Sequence, residues 1–266
     1  MNGFHAAQVL PGIWHIADRM GVCMTLITGE SRALLVDTGY GLDDVQAFVR
    51  TITDLPLTVL LTHAHHDHIL GARWFEKTCM LNADLPDFAE YTSVNQRSRV
   101  QQQAHAKGLK TPEDFLTAPI PPPQGIDPCA MDLGGLTVQI IACPGHTPGS
   151  AVIYVPQRQL LLTGDDWNPC TWLFFEQALP VEEYRANMRE VQKLPFTHVL
   201  CSHQPALFER QKPDDFLNGL TDELLLSAHS VQMGRPTDTR EVFPAPGQNL
   251  VFDWGKSALS QKERKA

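Results

Sequence analysis

Residues 59–71 read VLLTHAHHDHILG, a short apolar run followed by four histidines and an aspartate within six residues. The apolar run predicts the end of a buried β-strand. Imidazole and carboxylate groups are ligands for zinc, and also for iron or manganese. In an extended segment His63 and His65 point to the same side, so both could bind one ion. Asp67 and His68 lie beyond the strand, where the chain turns, and could face a second ion.

The same pattern, a polar residue after an apolar run, recurs three times later in the chain. His146 lies in PGHTPGS, Asp165 in TGD and His203 in SHQ, each after a predicted strand. Strand ends are rigid, and loops that leave one edge of a sheet can converge. Each motif alone is more often an ordinary turn or a hydrogen-bonded histidine, but their recurrence favours a metal site. The predicted metal ligands are His63, His65, Asp67, His68, His146, Asp165 and His203.

One histidine of the cluster is not expected to bind metal. His66 follows His65 directly, so in an extended segment it would point to the opposite face of the strand end. We therefore expect that replacing His66 does not affect metal binding, whereas replacing any predicted ligand does.

Composition limits the class of protein. The chain has 266 residues, 43% of them hydrophobic, and a formal net charge of −9. An acidic chain is not expected to bind nucleic acid or an anionic membrane. The sequence has no apolar run long enough to span a membrane and no visible signal peptide, so we expect a cytoplasmic protein. Six scattered cysteines without a CxxC pair are expected to be reduced thiols.

Hydrophobic periodicity predicts an α/β protein with two similar β-rich halves and helices outside them. Strands are predicted at 12–18, 23–30, 33–39, 57–65, 136–144, 150–156, 159–165 and 197–204, the last being the final clear buried strand. Helices are predicted at 42–54, 69–77, 85–108, 181–194 and 215–232. The proline-rich stretch 116–128 is predicted as loop.

The predicted domain organisation is a single domain over residues 1–266. Residues 85–128 are expected to form a helical and loop insertion near the site, as a lid or a dimer contact. Residues 257–266 are expected to be a frayed tail. If the insertion is a dimer contact, the chain would form a homodimer.

THAHHDH, PGHTPGS, TGD and SHQ, with the earlier LLVDTG, resemble the metallo-β-lactamase-fold hydrolases. The resemblance implies an α/β (α+β) fold, a four-layer αββα sandwich with the site at one edge of the paired sheets. It also implies a site for two divalent metal ions, most simply Zn²⁺, with Mn²⁺ or Fe²⁺ as alternatives. One ion would be bound by His63, His65 and His146, the other by Asp67, His68 and His203, with Asp165 bridging them. The complete ligand set is similar to the glyoxalase-II-like and lactonase-like dinuclear branch, and Asp37 would be a structural carboxylate near the site.

Departures from the family's patterns narrow the implied activity. Asp165 stands where the best-known zinc β-lactamases carry cysteine or no bridge, which disfavours penicillin-type hydrolysis. Asn168 stands where acyl-homoserine lactonases carry tyrosine. Residues 205–266 are mixed in charge and, except for the last few residues, lack an obvious basic cluster like that of glyoxalase II. The acidic chain also has no evident arm for tRNA. His65 stands where the flavodiiron proteins carry glutamate.

The resemblance implies a hydrolase of a small molecule, an ester, thioester or lactone, in which a metal-bridging hydroxide attacks the substrate. Asp67 would be the catalytic residue that orients the hydroxide and takes its proton. Alternatives are a phosphodiesterase or nuclease of the same fold, an iron dioxygenase acting on persulfides, and a non-catalytic metal-bound ligand-binding protein. The loop after Asp165 is rich in aromatic residues, which either pack on the core or contact an apolar substrate. The predicted substrate-binding residues are Trp167, Asn168, Trp172 and Phe174.

Overall fold

The structure, a computed structural model, describes residues 3–234 and 237–263, with side chains up to residue 261. The strands are β1 (His5–Leu10), β2 (Ile13–Ala17), β3 (Cys23–Thr28), β4 (Ala33–Val36), β5 (Leu57–Leu61), β6 (Cys79–Leu81), β7 (Gln124–Ile126), β8 (Cys129–Asp132), β9 (Thr137–Ala142), β10 (Ala151–Val155), β11 (Leu160–Leu162), β12 (Cys170–Leu173), β13 (His198–Leu200), β14 (Phe208–Glu209), β15 (His229–Ser230), β16 (Thr239–Ala245) and β17 (Gln248–Asp253). The helices are α1 (Val45–Arg50), α2 (His66–Ile69), α3 (Leu85–Tyr91), α4 (Val94–Ala106), α5 (Val181–Val191), α6 (Gln211–Gly219), α7 (Asp222–Leu226) and α8 (Ala258–Glu263).

Two sheets face each other across the main core. One has the order β1-β2-β3-β4-β5-β6-β7, and the other has the order β14-β13-β11-β10-β9-β8. Alternation along each strand divides the side chains between two faces. Leu34 and Ile153 lie in the core between the sheets. Their neighbours Leu35 and Val152 point outward to other clusters.

Helices cover the outer face of each sheet. Val45 and Val49 of α1 pack in the cluster outside the first sheet. Tyr184 and Met188 of α5 pack in the cluster outside the second sheet. The layers are therefore helix, sheet, sheet and helix, which confirms the predicted αββα sandwich.

A third sheet has the order β12-β17-β16-β15 and packs in the cluster outside the second sheet. Its buried residues Leu250 and Phe252 pack in the same cluster as Tyr184. The prediction that residues 197–204 form the last buried strand is therefore wrong, since β16 and β17 follow them. The helix predicted over 215–232 is also wrong in extent, because α6 and α7 are separate and β15 follows them.

The segment 85–128 packs against the main body through α3 and α4. Val100 and Phe115 lie in a buried cluster with Leu42 and Leu70. The prediction of loop throughout 116–128 is wrong at β7, whose residues pair with β6 in parallel register. Of the predicted frayed tail, α8 is described, and residues 264–266 lie outside the described residues. Within the described parts of the chain, no helix has the length and apolar character that a membrane crossing requires.

Candidate metal centre

The predicted ligands meet at one edge of the paired sheets. His63 follows β5, His146 lies between β9 and β10, Asp165 follows β11, and His203 follows β13. Helix α2 begins at His66, directly within the histidine cluster, and carries Asp67 and His68. The strand ends of both sheets and one short helix therefore converge on one place.

The seven side chains form two groups. His63, His65 and His146 present ligand atoms that lie within 4.8 Å of one another, and so do Asp67, His68, Asp165 and His203. In the first group, His146 Nε2 is 2.8 Å from His65 Nδ1. In the second, His203 Nε2 is 3.0 Å from Asp165 Oδ2.

Asp165 lies between the two groups. Its Oδ1 is 3.5 Å from His68 Nε2, and its Oδ2 is 3.6 Å from His146 Nε2. Asp67 Oδ2 is 3.6 Å from the Nε2 atoms of both His68 and His203. The Asp165 carboxylate thus faces both groups, whereas the Asp67 carboxylate lies wholly within the second group.

Three buried atoms at the centre make no hydrogen bond: His63 Nε2, His68 Nε2 and Asp165 Oδ1. Buried polar atoms without partners are rare in folded proteins because each one loses its hydration without compensation. Nitrogen and oxygen atoms that converge in this way are a donor set suited to zinc or iron. The residues present therefore fit a pair of divalent cations.

Electrostatics differ between the two groups. Burial lowers the pKa of His63, His65 and His146, which keeps these imidazoles neutral. Burial also opposes charge on His68 and His203, but the neighbouring Asp165 and Asp67 carboxylates raise the pKa of both imidazoles.

The pKa of the Asp165 carboxyl is shifted in the opposite direction from the pKa values of His68 and His203. Burial favours its neutral form, but the imidazoles of His203 and His68 hold its pKa well below the usual range. For Asp67, burial is likewise outweighed, and His68 and His66 lower the pKa of the carboxyl. Both carboxylates are therefore ionised at neutral pH.

Asp37 orients two of the histidines from behind. Its Oδ2 accepts from His68 Nδ1 at 2.9 Å, and its Oδ1 accepts from the Thr62 backbone N–H at 2.7 Å. The Thr62 hydroxyl bonds both Asp37 and His63 Nδ1. Asp37 has φ = 65°, a left-handed backbone conformation that aspartate tolerates better than most residues. Its location agrees with the prediction of a structural carboxylate near the site.

Asp84 is a residue near the site that the sequence analysis did not identify. It is fully buried, and its Oδ2 accepts from Ala64 N at 2.8 Å and from the Thr147 hydroxyl at 2.9 Å. Its Oδ1 accepts from Gly149 N at 2.6 Å. Asp84 thus ties the turn between His63 and His65 to the turn after His146. The pattern that predicted the metal ligands, a polar residue after an apolar run, is also present here, since Asp84 closely follows the apolar run CML.

Loop 174–178 lies over the first group of ligands, and the sequence analysis did not identify this loop as part of the site. The Gln177 side-chain amide is 2.7 Å from His65 Nε2 and 2.5 Å from the Tyr91 hydroxyl. The Phe175 ring centroid is 4.5 Å from that of His65. Lys256 Nζ donates to the carbonyls of Phe175, Glu176 and Ala178, which fixes the loop.

His66 lies outside both groups. Its Nδ1 is 2.8 Å from the Gln96 side-chain nitrogen, and its ring stacks on Tyr91. Through Gln96 and Tyr91, the segment 85–128 reaches the neighbourhood of the site.

A cavity of about 340 Å³ opens beside the second group, with Asp165 and His203 on one side. The other residues that line it are Asn168, Pro169, Cys170, Trp172, Gln204, Gly247 and Asn249. Two of the residues predicted to contact substrate, Asn168 and Trp172, therefore line the cavity.

The other two residues predicted to contact substrate lie elsewhere. The Trp167 side chain is 0% exposed and donates from Nε1 to Gln248 Oε1 within the core. The Phe174 side chain is 5% exposed and packs on Phe175. Neither ring lines the cavity, because the Trp167 ring is enclosed in the core and the Phe174 ring is covered by the neighbouring rings of Trp172 and Phe175.

The family model of the metallo-beta-lactamase superfamily matches residues 18–166, more than half of the chain. The chain belongs to this superfamily. The matched part includes strands β3 to β11 and six of the seven predicted ligands, whereas β1, β2 and His203 lie outside it.

Two relatives are enzymes by name. The acyl-coenzyme A thioesterase MBLAC2 of Gallus gallus is 23% identical over 185 residues, or 64% of this chain and 66% of that protein. The hydroxyacylglutathione hydrolase of Yersinia enterocolitica is 25% identical over 192 residues, or 71% of this chain and 60% of that protein. The similarity thus spans about two thirds of these relatives.

A solved structure shares the fold. The crystal structure of TTHA1623 in a di-iron-bound form has a TM-score of 0.52 and 23% sequence identity. The superposition covers 71% of this chain and 90% of that chain.

Proposed function

We propose that this protein is a dinuclear metal-dependent hydrolase of a small acyl substrate, an ester, thioester or lactone. The observation that carries the proposal is the position of Asp165, which faces both groups of imidazoles while its charge is stabilised by His203 and His68. A carboxylate shared by two donor groups is the arrangement expected of a bridging ligand.

In this proposal His63, His65 and His146 would hold one ion, Asp67, His68 and His203 would hold the other, and Asp165, which faces both groups, would serve both. When bound, two such cations supply Lewis acidity and make a bound water acidic enough to act as a nucleophile near neutral pH. Zinc suits the donor set, and the di-iron form of TTHA1623 supports iron as the alternative.

Asp67 is the residue proposed to handle the proton. Its carboxylate lies within the second group, and its lowered pKa keeps it ionised and able to accept a hydrogen bond from water. The Nε2 atoms of His68 and His203 each lie 3.6 Å from its Oδ2, so the carboxylate faces both imidazoles. Asp67 would thus orient the attacking water and take up its proton.

A thioester is the first substrate class to test. The two relatives are named as an acyl-coenzyme A thioesterase and a hydroxyacylglutathione hydrolase. Both names describe removal of an acyl group from a carrier that bears a thiol.

The test is hydrolysis by zinc- or manganese-loaded protein of an aryl ester, a thioester, a lactone and a bis-aryl phosphodiester. Asp67→Asn keeps the size of the side chain but removes its charge, and should lower kcat by about 10²-fold or more. His66→Asn is the matched control, because it changes the adjacent residue, and it should retain bound metal. Turnover of the phosphodiester alone, or full activity in Asp67→Asn, would refute the proposal.

A further inference from the structure

The cavity beside the metal centre has one wall made by a face of the third sheet. Along β12, Cys170 and Trp172 are exposed while Thr171 and Leu173 are buried. Cys170 pairs directly with Asn249 of β17 in parallel register. Cys170, Trp172 and Asn249 all line the cavity, which makes this face of the sheet its wall. We call this face the β12–β17 wall.

The β12–β17 wall is fixed relative to the metal centre. The backbone carbonyl of Trp172 accepts from His146 Nδ1 at 2.7 Å, so the strand that carries the indole also orients a proposed ligand. Asp165 and His203 line the same cavity. A molecule in the cavity would therefore be close to both the predicted metal ligands and the indole.

The charge on the cavity lining comes from the predicted metal ligands Asp165 and His203. Among residues 3–234 and 237–261, no lysine or arginine lines it. Asn249 instead donates from Nδ2 to the Glu241 carboxylate, which places negative charge behind the wall. An anionic group held against this wall would lose hydration without a cationic side chain on the wall to compensate, which is unfavourable.

We infer that the cavity binds the acyl part of the substrate and selects an uncharged acyl group, with the Trp172 indole as its apolar contact surface. This inference rests on the proposed hydrolase function and adds the substrate class to it. Trp172 is 41% exposed, so its ring offers a large flat surface to a ligand. The cavity volume of about 340 Å³ is within the range of small-molecule sites and is enough for a short or single-ring acyl group.

The experiment measures binding, so that it does not depend on turnover. Two non-hydrolysable ketone analogues of an N-acetylcysteamine thioester are compared by calorimetry on the zinc-loaded protein, one ending in a propyl group and one of equal length ending in a carboxylate. The wild-type protein should bind the neutral analogue at least about tenfold more tightly. Cys170→Lys places an ammonium on the wall and should reduce that preference by about tenfold.

Two further variants complete the test. Trp172→Ala should weaken binding of the neutral analogue by about tenfold through loss of the indole surface. Cys129→Lys makes the same substitution at the other exposed cysteine, on β8, and should leave the preference unchanged. A wild-type preference for the carboxylate, no binding of either analogue, or an unaltered preference in Cys170→Lys would overturn the inference. Hydrolysis assays on the same preparation test the proposed function separately, since they can fail while the neutral analogue still binds.

Discussion

The metal centre and the β12–β17 wall lie on two sides of one cavity, but they are built differently. The centre takes its seven side chains from turns that follow strands and from the start of α2. The wall depends on the pairing of β12 with β17, whose residues are far apart in the chain. Chemistry at the centre therefore relies on residue types at fixed spacing, whereas substrate selection relies on long-range strand pairing.

The largest effect that separates the two regions is expected from Asp165→Ala. This change removes the carboxylate that faces both groups, so metal affinity should fall by more than about 100-fold, beyond the range for residues that only orient a ligand. Metal content after dialysis and circular dichroism measure the result. The third sheet should stay folded, and retention of both ions would contradict the assignment of Asp165 as a bridge.

Asp37→Asn should have the next largest effect. Asparagine tolerates the left-handed backbone at this position, but its amide cannot accept from both Thr62 N–H and His68 Nδ1 as the carboxylate does. Metal affinity should fall by about 10–100-fold in a chelator competition.

The control for that change is Asp44→Asn, which removes a carboxylate at the N-cap of α1, outside the site. It should leave metal affinity unchanged. Equal affinities for the two variants would show that Asp37 does not orient the ligands.

Metal affinity should rise with pH. The pKa values of His68 and His203 are raised by the neighbouring carboxylates, so these imidazoles carry protons that a metal must displace. Affinity should fall as the pH drops through the raised pKa values, by up to about tenfold per pH unit for each proton displaced. Chelator competition between about pH 6 and 8 measures it, and a flat profile would contradict the protonated state.

The smallest effect is expected from Lys256→Met, which tests the link between the C-terminal region and loop 174–178. The lysine donates to three carbonyls of that loop, and its loss should lower the free energy of unfolding by about 1 kcal/mol. Urea denaturation measures the change. Lys193→Met is the control, because Lys193 forms an exposed ion pair with Glu190, three residues before it. Equal destabilisation by the two changes would mean that the loop is held by other contacts.

The ligand set could be predicted because its signal is local. Each ligand follows an apolar run, and the spacing of His63 and His65 places both on one side of the chain. Asp37 was recognisable from its position after β4, but its contact with His68 was not. Asp84 and Gln177 were missed because each acts through a turn or a histidine that is distant in sequence.

The aromatic residues after Asp165 show the limit of local reasoning. The sequence places Trp167, Trp172 and Phe174 close together, and all were predicted to contact substrate. Only the pairing of β12 with β17 decides that Trp172 faces the cavity, while Trp167 turns inward to bond Gln248. The β16–β17 hairpin itself was not predicted, and without it the wall has no second strand.

The sequence by itself determined the fold class, the order of the metal-binding motifs and the types of donor atom. These features depend on hydrophobic periodicity and on short spacings, which neighbouring residues encode directly. Only the tertiary structure decided which buried nitrogen atoms are left without partners, how Asp165 lies between the two groups, and which aromatic ring lines the cavity. Those properties arise from packing between segments far apart in the chain, such as His65 with His146 at 81 residues and His65 with Gln177 at 112 residues, and no local pattern specifies them.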